Sequence, residues 1–215
     1  MIFAIVLLGW IFSLCLHEFS HALVAYYGGD TTVRDKGYLT FNPLKYTHPV
    51  YSIVLPLLFL LMGGIGLPGG AVYIENWRLR SRAWISAVSL AGPATNLLVA
   101  VVLGLVLRFS AADRSGIWPA LAFLAFLQIS AVVLNLIPLP PFDGFGAIEP
   151  YLPDSLHGAV AQVRGMLPLV VFFLLWYVPF VNQAFWGLVV FIATRLGVPL
   201  DLVMAGYSGF QFWVR

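Results

Sequence analysis

The chain has 215 residues, 61% of them hydrophobic and 9% charged, with a mean hydropathy of +0.94. A soluble domain carries far more charge, so this composition excludes one and points to a polytopic membrane protein. The formal net charge of +2 comes without a basic cluster, so nothing recommends nucleic acid as a partner.

Residues 1–27 hold one charge, Glu18. A spanning helix takes about 20 apolar residues, so this stretch is expected to cross. It lacks a charged leading segment and a small-residue cleavage site, and reads as a true first membrane helix rather than a removed signal peptide. Cys15, the sole cysteine, excludes an intrachain disulfide. It precedes His17 by two residues, but buried cysteine ordinarily behaves as a small hydrophobe.

Residues 30–46, DTTVRDKGYLTFNPLKY, set β-prone runs on either side of DKG and predict a small membrane-associated hairpin. Residues 46–74 contain no Lys, Arg, Asp or Glu. Within them, 50–62 reads as a partial helix that GGIGLPGG, at 63–70, does not continue, so a re-entrant segment with an extended return is expected. Irregular backbone at membrane depth is tolerated only when buried in protein or lining a wet cavity, which hints at a site nearby.

The stretches 83–107 and 117–137 each read as one span. The polar loop 143–164 is too short for a domain. Residues 165–194 are apolar but broken by Pro179 and then Asn182-Gln183, giving two short helices or one long kinked one. The expected fold is therefore an all-α polytopic membrane protein. It has about five to six transmembrane helices, a re-entrant segment and a small hairpin. Residues 1–150 form its core, and 151–215 supply a loop and further helices of the same domain.

Charge fixes the expected orientation. If 46–74 returns to its own side and 165–194 forms a hairpin, then Arg34, Lys36, Lys45, Arg78, Arg80, Arg82, Arg164, Arg195 and Arg215 share one side. Arg108 and Arg114 lie opposite. The positive-inside rule makes the first side cytoplasmic and puts the N-terminus outside.

The chemistry concentrates in His17-Glu18-Phe19-Ser20-His21, an H-E-x-x-H pattern. On a helix His17 and His21 lie one turn apart on one face, where two imidazoles can bind one zinc ion. Glu18 falls on the flank, in reach of a proton on an activated water. Polar residues merely paired within a bundle are the bland alternative, but ionisable groups inside a membrane are expensive and point to function. A catalytic zinc takes three protein ligands, so a third comes from His48, Asp143, Glu149, Asp154 or His157. Asp143 is best placed. It follows the 117–137 span in NLIPLPPFDGF, where three prolines stiffen the chain and Gly144 permits a sharp turn. His48 and His157 read as interfacial loop residues. Asn96, in AGPATN, and Asn135 stand in apolar surroundings, where each either satisfies backbone freed by a nearby proline or binds substrate or a developing oxyanion.

These residues resemble the site-2 protease family of intramembrane zinc metalloproteases. The likeness rests on the H-E-x-x-H helix and on NLIPLPPFDG at 135–144, with AGPATN at 91–96 and NPLKYTHP at 42–49 in support. It implies one zinc ion on His17, His21 and Asp143, Glu18 as general acid/base, and Asn135, with Asn96 less strongly, in substrate or oxyanion binding. It also implies a strand near 30–46 that receives an unwound substrate. The implied substrate is a membrane protein with a single-pass helix in the lipid bilayer. The expected location is multi-pass in a prokaryotic cell membrane, with an organelle membrane as the alternative, and the charge count turns the site towards the cytoplasm. Departures are the absence of a helix before H-E-x-x-H, of PDZ or CBS domains, and of a second small residue at Phe145. The rival class is a protein that keeps zinc for structure or transport, or that binds membrane helices without cutting them. The intact Glu18 speaks against it.

Overall fold

The computed structural model describes residues 1–45, 72–108, 115–211 and 213. The expected re-entrant helix at 50–62, the glycine-rich 63–70 and His48 lie outside them, as do Arg114 and Arg215.

The described chain is helical. The principal helices are α1 (Ile2–Gly28), α2 (Thr32–Asp35), α3 (Arg82–Arg108), α4 (Trp118–Asn135) and α5 (Asp143–Ile148). Then come α6 (Asp154–Val163), α7 (Leu167–Tyr177), α8 (Pro179–Arg195) and α9 (Leu200–Phe210). At 1.5 Å per residue, α1 and α3 each run about 40 Å, enough for a hydrocarbon core about 30 Å thick. Together with α4 they are three helices long and apolar enough to cross a membrane, or four spans if α7 and α8 count as one.

α4 is the centre of the bundle. Of its apolar window 78% is buried, against 33% for α1 and for α3. Ala120, Ala122 and Ala125 are fully covered, and such small residues let neighbouring backbones approach closely. Gly206 of α9 does the same from the other side: a Cβ there would overlap the Pro119 carbonyl.

Contacts set the helix directions. Gly9 meets Leu124 and Ser13 bonds Gln128 in one register, so α1 and α4 run parallel. Gly28 meets Trp84, His21 meets Val88 and Ser20 meets Thr95, so α3 runs antiparallel to α1. The chain thus leaves α1 and enters α3 at the same end of the bundle, where the Arg80 N–H donates to the Gly28 carbonyl at 3.0 Å. The C-terminal ends of α1 and α4 share that end.

The hairpin expected over 30–46 is absent from its described part, 30–45. Asp30 Oδ1 accepts the Thr32 N–H at 3.1 Å and the Thr32 hydroxyl at 2.6 Å, and Thr32–Asp35 then coils into a helical turn. Such local side-chain bonds compete with strand pairing and here outweigh the β-propensity of the run. A 3-10 turn follows at Pro43–Lys45. The loop 143–164 is likewise helical, holding α5, a 3-10 turn at Glu149–Tyr151, and α6.

Residues 165–194 resolve into two helices bent by 90° at Pro179. Proline has no N–H for the Leu175 carbonyl four residues earlier. The Asn182 carboxamide supplies the missing donor, at 2.8 Å.

Candidate metal centre

The long apolar run of α1 carries His17 and His21 on one face, each at least nine-tenths buried. Their Nε2 atoms lie 3.0 Å apart. Asp143 arrives from the sequence-distant end of the proline-stiffened loop, at the first residue of α5. Its Oδ2 is 3.3 Å from His17 Nε2 and its Oδ1 is 3.5 Å from His21 Nε2. One ligand atom from each residue fits within a 4.8 Å circle of mutual distances.

Glycines make this approach possible. Gly144 packs against the Leu136 carbonyl, where a Cβ would overlap, so the turn after Asp143 closes onto the end of α4. Gly92 of α3 faces the two imidazoles, and a Cβ there would overlap both. On the far side Gly146 abuts Ser89, and Ser86 Oγ donates to the Ala147 carbonyl at 2.6 Å, fastening α5 to α3.

The donor set fits a zinc ion. His21 Nδ1 sits 2.6 Å from the Val88 carbonyl, which only accepts, so Nδ1 carries the proton and Nε2 turns its lone pair into the site. Asp143 Oδ2 is buried without a hydrogen-bond partner among the described residues. A tetrahedral ion with bonds of about 2.0–2.2 Å has ligand atoms about 3.3–3.6 Å apart. The two Nε2 atoms, 3.0 Å apart, are closer than this, and the aspartate offers one oxygen near each; a cation at the centre would satisfy both the lone pair and the orphaned oxygen.

Glu18 is 2% exposed and stands outside the three-residue group. Its Oε2 accepts the Val72 N–H at 3.1 Å. Asn96 is buried one turn beyond Gly92 on α3, with Oδ1 unpartnered among the described residues. Asn135 is buried at the end of α4, with Nδ2 unpartnered among the described residues. The parallel register of α1 and α4 puts Asn135 level with the His17–His21 turn.

The other candidates for a third ligand fall elsewhere. His157 lies on the exposed α6, with Nε2 3.2 Å from the Glu149 carbonyl and Nδ1 3.7 Å from Asp154. Glu149 lies 3.8 Å from Arg164. Cys15 is buried and does not join the metal group.

Sequence reasoning missed Gly92, whose signal is the Gly-Pro pair inside a charge-free helix. It also missed the buried Gln128–Ser13 bond of 2.8 Å, a polar pair in apolar surroundings. Val72 left no signal, because its contribution is a backbone N–H.

The chain is 47% identical over 213 residues to zinc metalloprotease Rip2 of Mycolicibacterium smegmatis, covering 99% of this chain and 82% of that protein. To zinc metalloprotease Rip2 of Mycobacterium tuberculosis (strain H37Rv) it is 43% identical, with the same coverage of each. Zinc metalloprotease YwhC of Bacillus subtilis is 31% identical over 188 residues, 82% of this chain and 81% of that protein. No family model and no solved structure matches.

Proposed function

The chain belongs to the site-2 protease family of zinc metalloproteases, and from that membership we propose that it cuts peptide bonds within or beside the transmembrane segments of other membrane proteins. His17, His21 and Asp143 hold one zinc ion, and Glu18 is the general acid/base. The observation that carries this reading is the meeting of two histidines and an aspartate inside an apolar helical bundle.

Zinc in this site supplies Lewis-acid polarisation of the scissile carbonyl and makes an attacking water more acidic. The chain's own groups do the rest. Glu18 accepts the water's proton and passes it to the departing amine, so the bond breaks without free charge on nitrogen. The Val72 N–H holds the Glu18 carboxylate in place while it waits. Asn135 offers an N–H to the oxygen on which charge develops, and Asn96 offers a carbonyl to a substrate N–H. The substrate helix unwinds before cleavage, because a helical peptide bond is shielded by its own turns.

The chain crosses the membrane several times, about five to six in all. The end shared by α1 and α4 faces the cytoplasm of a prokaryotic cell, because the segments next to it carry Arg34, Lys36, Arg78, Arg80 and Arg82. The substrate is a single-pass membrane protein.

The test is Glu18→Gln. Membrane-protein fragments are compared in cells carrying the wild type or the variant, with zinc measured on both purified proteins. The expected result is equal zinc and loss of specific fragments in the variant. Unchanged fragments would remove Glu18 as the base.

A further inference from the structure

Asp30 is a fully buried carboxylate just past the C-terminal end of α1, a helix end that disfavours negative charge. Among the described residues its partners are N–H and O–H donors. Oδ1 takes the Thr32 N–H and hydroxyl, and Oδ2 takes the Glu75 N–H at 2.8 Å. Burying a charge this way is costly unless every lone pair is met, and here the third donor comes from a segment 45 residues away.

That segment, 72–75, is neither helix nor ladder strand. It alternates as an extended chain does: Val72 and Ile74 pack against the cluster of Ala22, Ala25 and Val88, and Tyr73 is exposed. In such a chain the Tyr73 carbonyl and the Glu75 N–H point to one edge. Both are taken from the 30–36 turn, by Lys36 Nζ at 3.1 Å and by Asp30. The Val72 N–H points to the other edge and meets Glu18.

We propose that Asp30 is a positioning residue for the proteolytic site. It fixes the register of segment 72–75 along the end of α1, and so fixes the Val72 N–H that holds the Glu18 carboxylate. This rests on Glu18 being the base.

The test uses the full-length protein with Cys15→Ala and Ile74→Cys, so that one half-buried thiol reports the seating of the segment. Asp30→Asn is the informative variant. It keeps the shape and can still accept from Thr32, but it sets an amide N–H against the Glu75 N–H. Maleimide labelling of residue 74 is expected to quicken about tenfold in Asp30→Asn and in Asp30→Ala, the effect of losing one carboxylate-accepted hydrogen bond. With zinc content unchanged, cleavage of the membrane substrate that Glu18→Gln leaves intact is expected to lose kcat about tenfold at nearly constant KM. Labelling at the wild-type rate in Asp30→Asn would overturn the clamp, as would a loss of zinc in step with activity. A rise in KM alone would overturn the link to Glu18. Labelling requires no turnover, so a failed clamp is told apart from a wrong assignment of the base.

Discussion

Replacing Gly92 with alanine tests the metal centre through a residue that contributes no ligand. A methyl group built at Gly92 overlaps the imidazoles of both His17 and His21. Carbon and nitrogen pack at about 3.5–4.0 Å, so α3 and α1 must part, or the rings turn, by about 1 Å. Metal sites hold their ligand distances to about 0.2 Å, so a shift of that size breaks the geometry. Disturbing the support of a ligand typically costs about 10–100-fold in metal affinity, and at least that is expected here. Overpacking costs about 1–3 kcal/mol, offset by about 0.5–1 kcal/mol of helix propensity gained on leaving glycine. Global stability therefore falls only modestly while zinc retention falls sharply. The assay is zinc content after dialysis against graded chelator, beside thermal unfolding in detergent. Gly187→Ala is the control, since among the described residues nothing lies within 4 Å of a Cβ built there. Wild-type zinc affinity in Gly92→Ala would refute the packing argument and the position of the site beneath α3.

Asp143→Ala and His21→Ala are each expected to leave purified protein with little zinc, and normal occupancy in either would remove that residue from the ligand set. Asn182→Leu orphans the Leu175 carbonyl in apolar surroundings, which costs about 1–3 kcal/mol; an unchanged Tm in detergent would show that the carbonyl has another donor. Arg78 and Lys36 beside Glu75 hold its carboxyl down to about 2, from an ordinary 4.5. A depressed carboxylate stabilises the fold above its unfolded pKa and loses that contribution as pH falls through the folded one. The Tm gap between wild type and Glu75→Gln is accordingly constant above about pH 4.5 and closes towards pH 2; a gap independent of pH would show that the ion pairs contribute nothing.

The meeting of His17, His21 and Asp143 was legible because it is written in side chains: two histidines at one helical turn, and an aspartate after a stiff proline run. The parallel run of α1 and α4 agrees with the charge count, which put both C-terminal ends on one side provided 46–74 returned to its own side. Gly92 was not, because its role is to leave space, and the Gly-Pro pair drew attention to Asn96 instead. Over its described part, 30–45, the expected hairpin gives way to a helical turn because Asp30's bonds to Thr32 are a local competition that propensity does not weigh. Pro179 announced a break in 165–194, whereas the 90° bend depends on how α7 and α8 pack. The contact between Val72 and Glu18 joins residues 54 apart through a backbone N–H, which no residue type encodes.

The most direct measurement is the zinc X-ray absorption spectrum of the purified protein, with the metal-to-protein ratio taken on the same sample. The account predicts one zinc per chain, bound by two imidazole nitrogens and a carboxylate oxygen, with the signal lost in Asp143→Ala. A sulfur ligand, which would bring Cys15 into the shell, or an unchanged spectrum in Asp143→Ala would contradict it.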